Sequence, residues 1–525
     1  MKNKFIYLAI LAAGFASCEP EFDNPVSTDN YSAGEADFSS YVAVGNSLTA
    51  GYMDGTVYKS GQANSFPNLL AQQFALVGGG AFTQPSYEED VQNWGGIQGI
   101  PGFGTRRILD ATQPNPNGTF GAVEFIGGDA TTSGNSTITL TQQAKAYHNM
   151  GVPGAKTFHL VDLGAPYPPI GSNYGNPAGL LTNPPTANPY FVRHATSVNA
   201  TVLGDALSLN PTFFTCWIGN NDVLGYATSG GVGVNGGFGS ADLTSPMVFE
   251  AAYTKIINDL TANGAKGVVA TIPSVTSIPY FTTVPYNALP SEATATNVNA
   301  LQLYGFLAQV TGGRILPLST QAGTKNPVLI SDETLSDLSQ VISGAASTIP
   351  SLAPYASALG QLYGKARQAT SSDLIVLPSS GKIGQPNPLG TAPFNVNGVT
   401  FPLQDGDVLI PSEQLAITNA TNTFNAKIRD IAASKNLAVA DMNAILNQLV
   451  SGLRADNGTL YTANYFGGGT TEFKVLFSLD GVHPNARGYA VIANEIIKVI
   501  NTHYKSKLPL LNPNNYPGIH ILATN

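Results

Sequence analysis

Short apolar runs alternate with amphipathic stretches along most of the chain, the pattern of an α/β layered fold. Tyr41-Val42-Ala43-Val44 has no polar interruption, which predicts a strand buried on both faces, and Phe213–Ile218, Gly267–Ile272 and Leu437–Ala440 read the same way. Between these runs the apolar period lengthens to that of a helix. One predicted helix starts at Ser245 with Pro246 in its first position, where a missing N–H costs nothing. It places Phe249, Tyr253, Ile256 and Leu260 on one face. A second, from about Ser412 to Ser434, aligns Ala420, Phe424, Ile428 and Ile431, and the last carries Tyr489, Ile492, Ala493, Ile496 and Ile500. Each stripe is of the width that packs on a sheet.

Two regions break this rhythm. Residues 78–147 are rich in Gly, Asn and Thr, with the alternating Ser136-Thr137-Ile138-Thr139-Leu140 predicting a small strand. Residues 279–411 mix helical patterns with Pro- and Gly-rich loops. Both read as insertions that surround a site, within one domain spanning residues 38–505 and followed by a tail over 506–525. Tyr167 to Tyr190, with many Pro and Asn, predicts a long ordered loop. No internal repeat or coiled coil is present.

Composition narrows the function. Charged residues are 11% of the 525, against about 25% in an average soluble protein, while the 43% hydrophobic content is ample for a large core. The net charge is −9 and no basic run offers a footprint for phosphate backbones, so nucleic acid is not an expected partner. Two cysteines exclude a disulfide scaffold and any Cys-rich metal site. The first seventeen residues read as a signal peptide. Lys2 and Lys4 precede an uncharged stretch from Phe5 to Phe15, which is too short to span about 30 Å of hydrocarbon. Ala16-Ser17-Cys18 resembles the lipobox of bacterial lipoproteins, with Phe15 where the usual pattern has Leu. Glu19, Glu21 and Asp23 after it resemble the surface-export signal of Bacteroidetes lipoproteins. The resemblance implies acylation of Cys18, a flexible tether over residues 18–37, and an outer-membrane lipoprotein facing the cell surface or periplasm. Its only attachment to the membrane would be the lipid. Cys216 is then the one remaining thiol and reads as core.

Four short segments carry the candidate chemistry. Val44-Gly45-Asn46-Ser47-Leu48-Thr49-Ala50-Gly51 follows the first strand and turns tightly enough to expose a hydroxyl at a strand's carboxyl end, where open α/β sheets bind ligands. Asn149-Met150-Gly151-Val152-Pro153-Gly154 reads as a glycine turn that presents a backbone N–H. Ile218-Gly219-Asn220-Asn221-Asp222 follows another strand, and Asp480-Gly481-Val482-His483-Pro484-Asn485 precedes the last helix. A serine hydroxyl is a weak nucleophile until an imidazole takes its proton, and the imidazole needs a carboxylate to hold its tautomer. Of the six histidines only His483 has an Asp three residues before it. The N–H groups of Ser47 and Gly154 and the amide of Asn221 are candidate donors to an oxyanion.

In this order the segments resemble the SGNH, or GDSL-type, esterases and lipases. The resemblance makes Ser47 the nucleophile, places the family's glycine at Gly154 after Asn149, its G-x-N-D asparagine at Asn221, and its D-x-x-H pair at Asp480 and His483. It implies a flavodoxin-like three-layer α/β/α fold, a Ser-His-Asp triad with an acyl-enzyme intermediate, and neither metal nor cofactor. The residue before the nucleophile is Asn46 where the family has Asp, which bears on the turn's hydrogen bonds rather than on the triad. The likeness extends over residues 38–505 apart from the two insertions.

The remaining candidates have structural readings. Asp222 caps the helix that follows or fixes the Asn221 loop, and Trp94 and Trp217 read as structural. His148, His159 and His194 lack metal-ligand spacing. Tyr167, Tyr174, Tyr190 and Phe191 line a substrate cleft or pack beneath a loop. The function these features point to is a serine ester hydrolase of lipase or carboxylesterase type. Two alternatives remain: an O-acetyl esterase acting on surface polysaccharide, and a non-catalytic surface lipoprotein that binds glycan or lipid.

Overall fold

The computed structural model describes residues 30–110, 122–127, 136, 138–455, 458–465 and 474–522, so the expected signal peptide, Cys18 and the acidic residues after it lie outside the described residues. Five strands build a central parallel sheet: β1 (Tyr41–Gly45), β2 (Asn149–Gly151), β3 (Phe213–Trp217), β4 (Lys266–Ala270) and β5 (Ala438–Ala440). Their order across the sheet is 2-1-3-4-5, with each neighbouring pair parallel. The helices that matter to the site and to the sheet are α1 (Ser47–Ala50), α2 (Phe66–Ala75), α3 (Asn221–Thr228), α4 (Pro246–Thr261), α5 (Pro411–Ser434), α6 (Met442–Ser451) and α7 (Ala486–His503). Among the described residues no helix is long and apolar enough to cross a membrane.

The uninterrupted apolar runs are explained by helices on both faces of the sheet, which leave no strand face for water. Successive side chains alternate between faces. Val42, Val44, Phe214 and Cys216 join α4 and α5 in one core, and Tyr41, Ala43, Phe213 and Trp217 join α2 and α7 in the other. Helix α4 begins as its sequence predicts: Ser245 Oγ accepts from Val248 N–H, and Phe249, Tyr253, Ile256 and Leu260 are buried. Phe249 stacks on Phe424 of α5 at 4.1 Å between ring centroids. Ile431 and Ile492 lie at the margins of their stripes and are only partly buried.

Several expectations need correction. Asn149–Gly151 is an edge strand paired with β1, and the turn is confined to the residues after it. Ser136 and Ile138–Leu140 form no strand, and Thr137 lies outside the described residues; Ile138 is instead buried in a small cluster with Val57, Tyr87 and Tyr190. The stretch from Tyr167 to Tyr190 contains short helical turns at Ile170–Asn173 and Pro177–Leu181. The insertion over residues 279–411 has a core of its own, around Leu303, Tyr304, Ile330, Ile342, Tyr363 and Leu403. The end of the expected flexible tether is docked: Glu35 N–H donates to Tyr504 O at 2.7 Å, Lys507 N–H to Ser32 O at 2.8 Å, and Ala36 is buried. The C-terminal tail is held as well, since Ile521 and Leu522 pair with Leu109 and Asp110.

Truncating Phe424 to Ala removes the ring that joins α4 to α5 and leaves a cavity. We expect the chain to be destabilised by about 3–5 kcal/mol, read as a lower midpoint in denaturant unfolding.

Candidate active site

The chain order 2-1-3-4-5 reverses direction between β1 and β3, which opens a crevice beyond their carboxyl ends. Both strands deliver a candidate residue there. β1 runs into α1, whose first residue is Ser47, and β3 runs into α3, which starts at Asn221. The turn between β1 and α1 requires glycine at position 45, because a Cβ there would lie 2.2 Å from Thr49 Oγ1 and 2.5 Å from Trp217 O. Asn46 caps α1, its Oδ1 accepting from Leu48 N–H at 3.0 Å, and its Nδ2 donates to Asn220 Oδ1 at 3.1 Å. An aspartate could make the first bond but could not donate the second, and as it stands the asparagine ties the two crevice loops together.

His483 reaches this crevice from the loop before α7. Its Nε2 lies 2.8 Å from Ser47 Oγ, and its Nδ1 lies 2.8 Å from Asp480 Oδ2. Asp480 is nearly enclosed. Its Oδ1 accepts from Ser478 Oγ at 3.1 Å, Val482 N–H at 2.9 Å and His483 N–H at 2.8 Å, and its Oδ2 also accepts from Gly55 N–H at 3.2 Å. Burial alone would favour the neutral acid, but the His483 ring, these hydrogen bonds and the charge of Arg107 hold the carboxyl well below the usual range. An ionised carboxylate only accepts, so the His483 proton belongs on Nδ1, leaving the Nε2 lone pair to accept the Ser47 hydroxyl. The Tyr52 ring lies 4.5 Å from the imidazole and limits its tilt.

The candidate oxyanion donors come together from three elements. Asn221 Nδ2 donates one proton to Ala155 O at 2.9 Å, which fastens it to the turn carrying Gly154 and leaves its second amide proton without an acceptor among the described residues. Gly154 has a φ of 80°, a backbone position suited to glycine. Neither its N–H nor that of Ser47 has a protein acceptor among the described residues. Asn149 braces the same turn, donating to Thr49 O at 2.9 Å and accepting from Gly151 N–H at 3.0 Å. Asp222 fixes the Asn221 loop: it is fully buried, and its Oδ2 accepts from Thr157 N–H and Oγ1, each at 2.9 Å. Burial raises its pKa to about 6.

Residues that sequence reasoning missed hold Asp480 in place. Asp54 N–H donates to Ser478 Oγ at 3.0 Å, and Asp54 Oδ1 accepts from Leu479 N–H at 3.0 Å. Burial pushes the Asp54 carboxyl up to about 6. No local pattern reveals this clamp, because its partners lie 424 and 425 residues apart in sequence. The expected insertions also close in: Tyr280 N–H donates to Gly481 O at 2.9 Å. Beside Ser47 and His483 lies a cleft whose empty space, counted out into the open solvent, is about 840 Å³, and whose far walls are α6 and the start of α7. Trp217 forms part of its wall while packing on Phe66. Tyr174, Tyr190 and Phe191 are buried, and with the partly buried Tyr167 they pack beneath the loop and do not line this cleft.

Compared with family models, curated proteins and solved structures, the chain matches none of them.

The three histidines without metal-ligand spacing have other surroundings. His148 Nδ1 pairs with Thr83, and His159 Nδ1 accepts from Lys156 N–H and stacks on Tyr174. His194 packs between Tyr147 and Phe191, and burial lowers the pKa of His159 and His194 alike to about 3. Among the described residues, one acidic trio converges: carboxylate oxygens of Glu333, Asp405 and Glu413 lie within 4.8 Å of one another. Burial, followed by its acidic neighbours, raises Glu413 to about 8. A carboxyl with a raised folded-state pKa contributes stability below its ordinary pKa, and that stability is lost as pH rises through about 8. Glu413→Gln keeps an oxygen for Ile410 N–H without the charge. The variant should melt at the wild-type temperature at pH 5 and above it at pH 9, and an equal difference at both pH values would contradict this.

Proposed function

We propose that the protein is a serine ester hydrolase of the SGNH, GDSL-type, class, with Ser47, His483 and Asp480 as its triad. One observation carries the reading: a single imidazole is bonded at 2.8 Å both to a serine hydroxyl at a strand's carboxyl end and to an ionised, enclosed carboxylate. The strand order and the helices on both faces of the sheet agree with the flavodoxin-like three-layer fold of that class.

The chemistry follows from the bonds. Ser47 Oγ attacks the ester carbonyl carbon while its proton passes to His483 Nε2, and Asp480 stabilises the imidazolium so formed. The carbonyl π electrons move to oxygen, where the N–H groups of Ser47 and Gly154 and the second amide proton of Asn221 receive the charge. A donor of this kind is worth about 2.7–4 kcal/mol of barrier. The tetrahedral adduct collapses by breaking the bond to the alcohol oxygen, which takes the proton from Nε2 and departs. Water, deprotonated by the same nitrogen, then attacks the acyl-enzyme and frees the acid and Ser47. No step needs a metal or cofactor. A lipid on Cys18 would hold this activity at the outer membrane, with an ester of a lipid or an acylated glycan as substrate.

Peptide mapping by mass spectrometry after fluorophosphonate treatment should find one adduct, on Ser47, and none in His483→Ala. Ser47→Ala should lower turnover of an activated ester by about 10³-fold or more with melting unchanged. A folded chain with neither adduct nor turnover would refute the reading in favour of a binding protein, and a Ser47→Ala variant that keeps its activity would refute Ser47 as the nucleophile. Ser478→Ala removes a hydrogen bond to the charged Asp480 and frees Asp54 N–H. It should lower kcat about tenfold, the worth of ~1.5 kcal/mol, with little change in KM.

A further inference from the structure

Protein interiors close-pack, and a large apolar void is filled only at a cost unless something apolar occupies it. The cleft beside Ser47 is such a void. Its polar side chains are Ser47, Asn220, Asn221 and His483, which cluster at one end through the bonds already described, and the rest of its lining is apolar. Along α6, Met442, Ile445, Leu446 and Leu449 fall at the spacing of one helix face, and all four line the cleft. Val491 and Ile492 of α7 face them across it. An amphipathic helix normally spends such a stripe on the core. Here Met442, Leu446 and Leu449 are buried at the core's edge while Ile445 and Ile492 keep partial exposure, so the stripe borders the cleft as well as the core.

Resting on the ester-hydrolase reading above, we propose that this cleft binds an extended, unbranched alkyl chain of the ester, with the carbonyl at Ser47. From Met442 to Leu449 the wall runs two turns of helix, about 10 Å, the length of a chain of roughly eight carbons. An acetyl ester fills only the mouth, whereas each further methylene is removed from water. The chain belongs to either the acid or the alcohol of the ester, and the two are separable by experiment.

The test uses the full-length chain and esters kept below their micelle concentrations. One arm lengthens the acid, from p-nitrophenyl acetate through butyrate to octanoate. The other lengthens the alcohol, from ethyl through butyl to octyl acetate. In the arm that uses the cleft, kcat/KM should rise about fourfold per methylene at first, equivalent to ~0.8 kcal/mol, and level off near eight carbons, for a total gain of about 100-fold or more. Leu446→Trp, which fills the cleft, should cut the ratio of long-chain to acetate kcat/KM at least about tenfold. Ile445→Phe, at a partly exposed site that tolerates bulk, should act in the same direction should the first variant fail to fold.

A flat profile in both arms, with acetate turned over and Ser47 labelled, overturns the alkyl cleft and leaves the hydrolase standing. Absence of any turnover or Ser47 adduct overturns the hydrolase. The cleft is then judged by Trp217, which lines it: octanoate, but not acetate, should shift the protein's tryptophan emission, and no shift would overturn the cleft as well.

Discussion

The His483 imidazole, hydrogen-bonded on both nitrogens, is the contact around which the rest of the site is arranged. It spans 436 residues of chain to meet Ser47, so the geometry is right only when the first strand and the loop before the last helix are both in place. Helix α7 sees to this from one side, since its Tyr489 hydroxyl donates to Tyr52 O at 2.6 Å and so holds the segment whose Tyr52 and Gly55 brace the His–Asp pair. Asp480 sees to it from the other. Its oxygens accept from five groups, of which four belong to its own loop and the fifth, Gly55 N–H, comes from the far end of the chain. An enclosed carboxylate is costly unless its lone pairs are met, and meeting them fixes the loop's shape.

Much of this was legible from the chain itself. The buried strands and the two helices that cover one face followed from runs and periods, because full burial on both faces leaves few polar positions, such as Thr215, to obscure the pattern. Ser47, Asn221, Asp480 and His483 were legible from their positions at strand ends and from the three-residue spacing of the last pair. β2 was not. Three residues that include Asn and Gly carry no strand signal, and only pairing with β1 makes them a strand. The Asp54–Ser478 clamp was invisible for a related reason: it exists only between distant segments. The cleft is the clearest case, since nothing local in the sequence says that an apolar helix face borders a space as well as a core.

The insertions have different characters. Residues 279–411 carry a separate core yet touch the site through Tyr280 on Gly481, so their folding bears on the loop that holds His483. The region over residues 78–147 contributes Arg107, whose strand is paired on one side with Ala122–Phe125 and on the other with the last described residues of the chain. The tail is in this way built into the surroundings of Asp480, on which the Arg107 charge acts.

The docked segment before β1 has a mechanical consequence. Glu35 meets Tyr504 and Lys266, and Tyr504 is bonded through its hydroxyl to Gly267 and packed on Phe213, so this contact lies at the amino ends of β3 and β4. Ser47 and His483 occupy the opposite, carboxyl pole of the sheet. Any pull exerted through the segment that leads into Glu35 is therefore delivered to the pole opposite Ser47 and His483 and is spread into the sheet before it reaches the crevice. A body held from that pole presents its crevice outward, toward whatever medium surrounds it.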